Sequence, residues 1–315
     1  MGSARPAVPE IVEALPAARA RRVTRTAAPA LARDYLTLTK PRIMSLLVLT
    51  SVCAMVAAAG GSPPAVPLAA LVVGGALACG GASALNHVLD RDIDRLMGPR
   101  TASRPVAAGR IAPARAVAFG LVLSALSFLI LTVFANPLTA TLAVSGGAFY
   151  VLVYTLWLKR TTPHNIVIGG AAGAIPPLAG WAAAHGHLSL GAGFLFVIVL
   201  LWTPPHFWAL ALLLAPHYTA AGVPMMPVVR GVSATTRQVL LYTLALVAAT
   251  LLPGLIGTFG TVYLAAAVLL DAVLGVLAWR LWRKRTAAHA GVLFHYSLLY
   301  LALLFVAVAA DAAVH

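Results

Sequence analysis

Acidic side chains are nearly absent from this chain. Asp and Glu together number eight in 315 residues, and charged residues of both signs make up only 10%. A soluble domain carries about 25% charged residues and about 45–50% apolar ones. Here 61% of the residues are hydrophobic, too many to hide inside a water-soluble core. That excludes an ordinary soluble globular protein and leaves lipid as the solvent, hence an all-α, polytopic membrane protein. Cysteine is scarce as well. Cys53 and Cys79 fall within apolar runs and lack metal-ligand spacing, so they read as small buried hydrophobes. An early apolar signal region is also missing. Residues 1–42 instead hold Arg5, Arg19, Arg21, Arg22, Arg25, Arg33, Lys40 and Arg42 among Ala and Pro. This stretch reads as a basic, disordered cytoplasmic tail, with an Arg-rich mitochondrial transit peptide as the competing reading.

What is plentiful is apolar sequence in runs of spanning length. Nine candidate spans lie at roughly 43–61, 66–85, 116–135, 138–158, 164–183, 190–212, 238–257, 261–280 and 292–312, each near the ~20 residues a helix needs to cross a bilayer. Together they predict one membrane domain over 43–315. The formal net charge of +14 would suggest nucleic acid on a soluble protein. Its distribution says otherwise. Connections alternate sides, and one set (the tail, 86–115, 159–163, 213–237 and 281–291) holds every Lys and Arg except Arg280, which closes a span at the same face. The opposite set (62–65, 136–137, 184–189, 258–260 and 313–315) holds none. By the positive-inside rule the N-terminus is cytoplasmic and the C-terminus outside. The expected partner is the lipid bilayer, not nucleic acid.

Two connections on the basic side are long, 86–115 and 213–237, and long loops in a tight fold often carry function. The first holds three of the eight carboxylates, in Asn86-His87-Val88-Leu89-Asp90-Arg91-Asp92-Ile93-Asp94. Asn86, Asp90 and Asp94 recur every four residues, so a continuing helix puts them on one face, with Asp92 pointing elsewhere. Two stacked carboxylates repel and lose hydration, and a divalent cation relieves both costs. Mg²⁺ is typically held by one or two carboxylates, waters and substrate phosphates. Arg91, Arg95, Arg100, Arg104 and Arg110 follow at once, and guanidiniums suit phosphoryl oxygens. The pattern therefore fits Mg²⁺ and a diphosphate. The bland reading beside it is a solvated loop of mixed charge.

Other features admit two readings each. Lys159-Arg160 ends the fourth span, with Tyr150 and Tyr154 one and two turns earlier. The pair is either a second phosphate clamp, with the tyrosines facing an isoprenoid or the ion, or simply basic residues at a helix C-terminus. The sixth span contains Trp202-Thr203-Pro204-Pro205-His206-Phe207. Its prolines free backbone carbonyls, and His206 is placed to contact a large planar ligand, to act as a base, or to satisfy those carbonyls. Asp271, in mid-span, has no obvious partner in the sequence and is expected to face the bundle interior.

Several stretches resemble one family. They are Tyr35-Leu36-Thr37-Leu38-Thr39-Lys40-Pro41-Arg42, Asn86 through Arg95, Thr101-Ala102-Ser103-Arg104-Pro105 with Ser103 where Asn is usual, and Tyr154 through Gly170. Most specific are Trp202-Thr203-Pro204-Pro205-His206-Phe207 and Gly222-Val223-Pro224-Met225-Met226-Pro227-Val228-Val229. The chain is similar to the intramembrane aromatic prenyltransferases, and within them to the haem O synthases. The resemblance implies nine helices around a central cavity and loops on the cytoplasmic side of a bacterial inner membrane, with the mitochondrial inner membrane as the alternative. It implies farnesyl diphosphate and haem B as substrates, haem O and diphosphate as products, Mg²⁺ as cofactor, and haem A synthase or terminal-oxidase assembly as partners. Asp90 and Asp94 would hold the metal, with Asn86 orienting a ligand. Arg91, Arg95, Arg104, Lys159 and Arg160 would meet diphosphate oxygens, and Tyr150, Tyr154, His206, His217 and Tyr218 would line the substrates. One departure stands out: His217 takes the place of the family's usual Asp before Tyr218, so His217 is expected to assist diphosphate and not to hold Mg²⁺. The competing functions are prenyl transfer to a quinone precursor or chlorin, and a non-catalytic transporter or haem-binding assembly factor.

Overall fold

Apolar runs bounded by Gly and Pro become helices because, in lipid, each helix satisfies its own backbone hydrogen bonds. The computed structural model describes residues 28–314. Most of the expected basic tail thus lies outside the described residues, but its last part does not: α1 (Ala28–Thr39) is helical, which corrects the expectation of a disordered stretch running to residue 42. Then come α2 (Pro41–Ala58), α3 (Ala65–Leu89), the short α4 (Arg91–Leu96) and α5 (Pro99–Ala102), α6 (Pro113–Phe134) and α7 (Pro137–Ala148). The last continues as a π-helix over Phe149–Leu158 and ends in a turn, α8 (Lys159–Thr161). The chain finishes with α9 (Asn165–His185), α10 (Leu190–Leu213), the short α11 (Ala215–Ala220), α12 (Met226–Leu255), α13 (Thr261–Lys284) and α14 (Ala287–Val314).

Among the described residues eight helices are long and apolar enough to span a bilayer, and nine when the bent pair Ala30–Thr39 and Met44–Ala58 counts as one. The nine-span reading fits this architecture. The bend of 51° has a local cause. Pro41 cannot extend the ladder of α1 and disfavours the α conformation at the residue before it, and Lys40 adopts a left-handed conformation with φ 51°.

Neighbours in sequence are neighbours in space. Contacts run α2–α3–α6–α7–α9–α10–α12–α13–α14, and α14 returns to pack on α2, so the spans close a ring. Small residues allow the close approaches. At Gly180 of α9, a Cβ would collide with the main chain at Ser51 of α2. Hydroxyls stitch further pairs: Ser127 of α6 donates to the Gly74 carbonyl of α3 at 2.7 Å, and Ser83 donates to Leu38 O at 2.6 Å. The expectation that Asp271 lacks a partner is corrected. Thr250 of α12 donates to its Oδ2 at 2.6 Å and Tyr300 of α14 to its Oδ1 at 2.7 Å, so one buried carboxylate ties three helices.

Candidate functional site

The site forms where α3 runs out at the loop-bearing end. Asn86 lies in its last turn, Asp90 is its C-terminal cap, and Asp94 sits in α4. The predicted ladder is therefore not one helix. Asp90 breaks it at φ −88° and ψ 4°, yet Asp94 N–H still donates to Asp90 O at 2.7 Å. The three side chains remain on one side, all sealed: Asn86 and Asp90 are 2% exposed and Asp94 1%. Asp92 projects outward with its side chain 60% exposed.

Each buried group has a designated cationic partner. Lys40, released by the α1–α2 bend, donates to Asn86 Oδ1 at 2.8 Å. That fixes the amide orientation, because Nδ2 must then donate, and it does so to Asp90 Oδ2 at 2.8 Å and to Thr155 Oγ at 3.1 Å. Lys159 donates to Asp90 Oδ2 at 2.6 Å, and Arg104 to Asp94 Oδ1 at 2.6 Å. Burial raises the Asp94 carboxyl above the usual carboxylate range, against the pull of Arg104. The second oxygen of each carboxylate, Asp90 Oδ1 and Asp94 Oδ2, is buried and has no protein partner. Both nitrogens of His87, the residue after Asn86, are likewise buried and without a partner.

Unpartnered buried carboxylate oxygens are costly unless something satisfies them. Two such oxygens from one acidic cluster suit a hard divalent cation that completes its shell with water and phosphate. Among the described residues no group of three or more His, Cys, Asp or Glu could enclose a metal, so such a cation would need ligands from its substrate. Three basic side chains, Lys40, Lys159 and Arg104, converge on two carboxylates and one amide, a donor set that suits the oxygens of a diphosphate.

The structure sorts the other expected site residues. Tyr150 and Tyr154 stack at 5.6 Å between ring centroids, and the π-helical stretch carries them on the same segment as Thr155 and leads directly into Lys159. Tyr218 is buried, in a cluster with Ile93 and against Tyr154, and desolvation pushes its hydroxyl up to about 12. Arg160 is not in the cluster: it forks onto both oxygens of Asp92 at 2.8 Å each and onto Leu89 O at 2.6 Å. That pairing holds the Asp92 carboxyl below its usual range. Arg95 spends its Nε–H on Ala107 O at 2.9 Å, bracing the loop, and Arg91 is exposed. His217 is exposed too, and a Cβ on Gly98 would come within 2.9 Å of its ring, so it sits at the seam between the two long loops. His206 meets Ser297, not the freed carbonyls, at 2.7 Å. Sequence reasoning misses Lys40 and Thr155 as site residues. A lysine directly before the proline that opens a span is the available signal for the first; nothing local marks Thr155.

Residues 47–308 match the UbiA prenyltransferase family. The chain is 50% identical over 286 residues to the protoheme IX farnesyltransferase of Roseiflexus castenholzii, covering 91% of this chain and 53% of that protein. It is 51% identical over 283 residues to the protoheme IX farnesyltransferase of Symbiobacterium thermophilum, covering 89% of this chain and 94% of that one. The chain thus spans about half the length of some curated relatives, those of Roseiflexus among them, and nearly all of others. Among solved structures, a digeranylgeranylglyceryl phosphate synthase superposes with TM-score 0.75 at 18% identity, covering 90% of this chain and 99% of that one. A UbiA homolog from Archaeoglobus fulgidus bound to GPP and Mg²⁺ superposes with TM-score 0.60 at 15% identity, covering 87% and 99%. A shared fold, a match over most of the spans and bacterial relatives at half identity leave one conclusion: this multi-pass membrane protein belongs to the UbiA prenyltransferase family.

Proposed function

We propose that the chain transfers a farnesyl group from farnesyl diphosphate to a vinyl group of haem B, giving haem O and diphosphate, with Mg²⁺ as cofactor. The observation that carries this reading is the pair of buried, unpartnered oxygens on Asp90 and Asp94 beside Lys159 and Arg104. The choice of farnesyl and haem follows the names of the relatives at half identity over most of the chain.

Asp90 and Asp94 would hold the ion, and the ion when bound would neutralise charge on the leaving diphosphate. Lys159, Arg104 and Lys40 turn from their carboxylate and amide partners toward phosphoryl oxygens, where fixed positive charge in a water-poor site is worth most. Asn86 holds Asp90 in place through its amide. The stacked Tyr150 and Tyr154 offer ring faces to the allylic chain as positive charge develops on it. The allylic carbon–oxygen bond breaks, the vinyl carbon attacks, and water adds at the other vinyl carbon to give the hydroxyl, releasing a proton. His217, at the seam where the two loops meet, assists diphosphate. Arg91, Arg95 and Arg160 act on the loops themselves. The basic loops are cytoplasmic, the N-terminus inside and the C-terminus outside, in a bacterial inner membrane.

The test is mass spectrometry of haem after incubating purified protein with haem B, farnesyl diphosphate and Mg²⁺. A product heavier by one farnesyl and one hydroxyl is expected. Haem of unchanged mass, with the protein folded and both substrates bound, would favour a binding or transport role instead.

A further inference from the structure

His206 is buried at 6% exposure and is held on three sides. Trp202 stacks on one face at 4.4 Å and 15°, and Phe294 of α14 on the other at 4.9 Å and 24°. Trp202 is itself pinned, its Nε1–H donating to Ser297 O at 2.8 Å. A tilt of the ring would break this stack, and a flip would break the contact of its Nδ1 with Ser297. Its Nδ1 lies 2.7 Å from Ser297 Oγ.

The protonation pattern follows from counting hydrogens. Ser297 Oγ also lies 2.8 Å from the Phe294 carbonyl, which has no hydrogen to give. A hydroxyl carries one proton. If Ser297 gave it to His206, two lone-pair oxygens would face each other at hydrogen-bond distance. The satisfied arrangement has Ser297 donate to Phe294 O and accept from His206 Nδ1–H. A neutral imidazole protonated at Nδ1 carries a bare lone pair at Nε2, in the ring plane and pointing away from Ser297. Nε2 has no protein partner among the described residues, and it is not among the interior atoms sealed from accessible space.

An imidazole with Nδ1–H given to an oxygen and a free Nε2 is in the state of a metal-ligating histidine, where the second hydrogen bond sets tautomer and orientation. Haem iron commonly takes such a ligand. We infer that His206 Nε2 is an axial ligand to the iron of the tetrapyrrole substrate, with Ser297 fixing its tautomer and Trp202 and Phe294 fixing its plane. This assignment rests on the haem reading of the preceding subsection and adds a chemical criterion for the acceptor: the chain selects a metallated tetrapyrrole over a metal-free one. The bond sets the depth of the macrocycle at the α10–α14 junction. Rotation about that bond is left to the surrounding walls.

The experiment is equilibrium titration of the purified full chain with ferric haem B, zinc protoporphyrin IX and metal-free protoporphyrin IX, with absorption spectra of the haem complex. His206→Ala is expected to weaken both metallated ligands about tenfold or more while metal-free protoporphyrin changes by less than about twofold, and Ser297→Ala to weaken the metallated pair by about tenfold. Added imidazole should return the ligated haem spectrum to His206→Ala. His206→Gln, which keeps volume and a donor for Ser297, guards against a folding defect and should behave like His206→Ala. Equal weakening of all three ligands would reduce His206 to a contact wall and overturn the assignment. So would an unchanged haem spectrum in either folded variant, and if that variant still made haem O, the haem reading would survive alone. A wild-type chain that bound none of the three would overturn both.

Discussion

Lys159 places its ammonium 2.6 Å from Oδ2 of Asp90 across 69 residues of chain, with side chains only 11% and 2% exposed. A buried pair of this kind is weak evidence for stability, since desolvation offsets much of the attraction. Here the carboxylate leaves its other oxygen, Oδ1, buried and without a protein partner beside that pair.

Removing the open oxygens should therefore cost activity. Asp90→Asn and Asp94→Asn are each expected to cut turnover by roughly 10²-fold or more, measured as haem O formed per folded molecule. Asp92→Asn should do far less, because Asp92 is exposed and engaged with Arg160. Chelation of Mg²⁺ should stop the wild-type enzyme and be reversed by adding it back. Equal losses from all three substitutions would refute the assignment of sides.

The α1–α2 bend is what brings Lys40 to Asn86. Lys40→Gln should raise the KM for farnesyl diphosphate by about tenfold, the scale of a single charge-assisted hydrogen bond to phosphate, with the haem B affinity unchanged. A steady-state titration of each substrate separates the two, and a change confined to haem B would show that Lys40 serves the other substrate.

His217 lies at the loop seam over Gly98. His217→Gln should raise the KM for farnesyl diphosphate and leave the Mg²⁺ requirement nearly unchanged. His217→Asp should tighten Mg²⁺ dependence by adding a fixed negative charge near the rim. If His217→Gln instead raised the Mg²⁺ concentration needed at constant farnesyl diphosphate affinity, the residue would be a metal ligand.

Asp271 ties α12, α13 and α14 through two hydroxyls. Interhelical polar contacts in membranes are worth about 0.6–2 kcal/mol, so Asp271→Ala should lower the unfolding free energy in detergent by about that much and the thermal midpoint with it. Turnover per folded molecule should stay near wild type. A large loss of turnover in a fully folded variant would mark Asp271 as part of the chemistry.

The orientation rests on one-sided basic residues. Reporter fusions after Gly61, Gly186 and Gly260 should read outside, and fusions after Gly98 and Gly222 inside. A reversed signal at Gly98 or Gly222 would sink the nine-span arrangement.

The sequence by itself determined the solvent, the helices and the neighbourhood of the site. Apolar runs of spanning length admit only helices in lipid, and spacing of four put Asn86, Asp90 and Asp94 on one side because the hydrogen bond from Asp94 N–H to Asp90 O keeps helical phase across the break. These are local properties, written in consecutive residues. Pairing is not local. Which cation meets which carboxylate depended on where α8 and the loop after α5 come to rest, and sequence order held no hint that Arg160 would take exposed Asp92 while Lys159 took buried Asp90. Arg95 and Arg104 are equally basic in composition, yet one braces a carbonyl and the other reaches Asp94. In the sequence His206 is an ambiguous histidine among aromatics. Only α14, packed on α10 from 91 residues away, supplied the Ser297 hydroxyl that fixes its proton. Tertiary structure decided these points because a buried charge or a tautomer is set by the nearest partner in space, and in a closed ring of helices that partner comes from a distant turn of the chain.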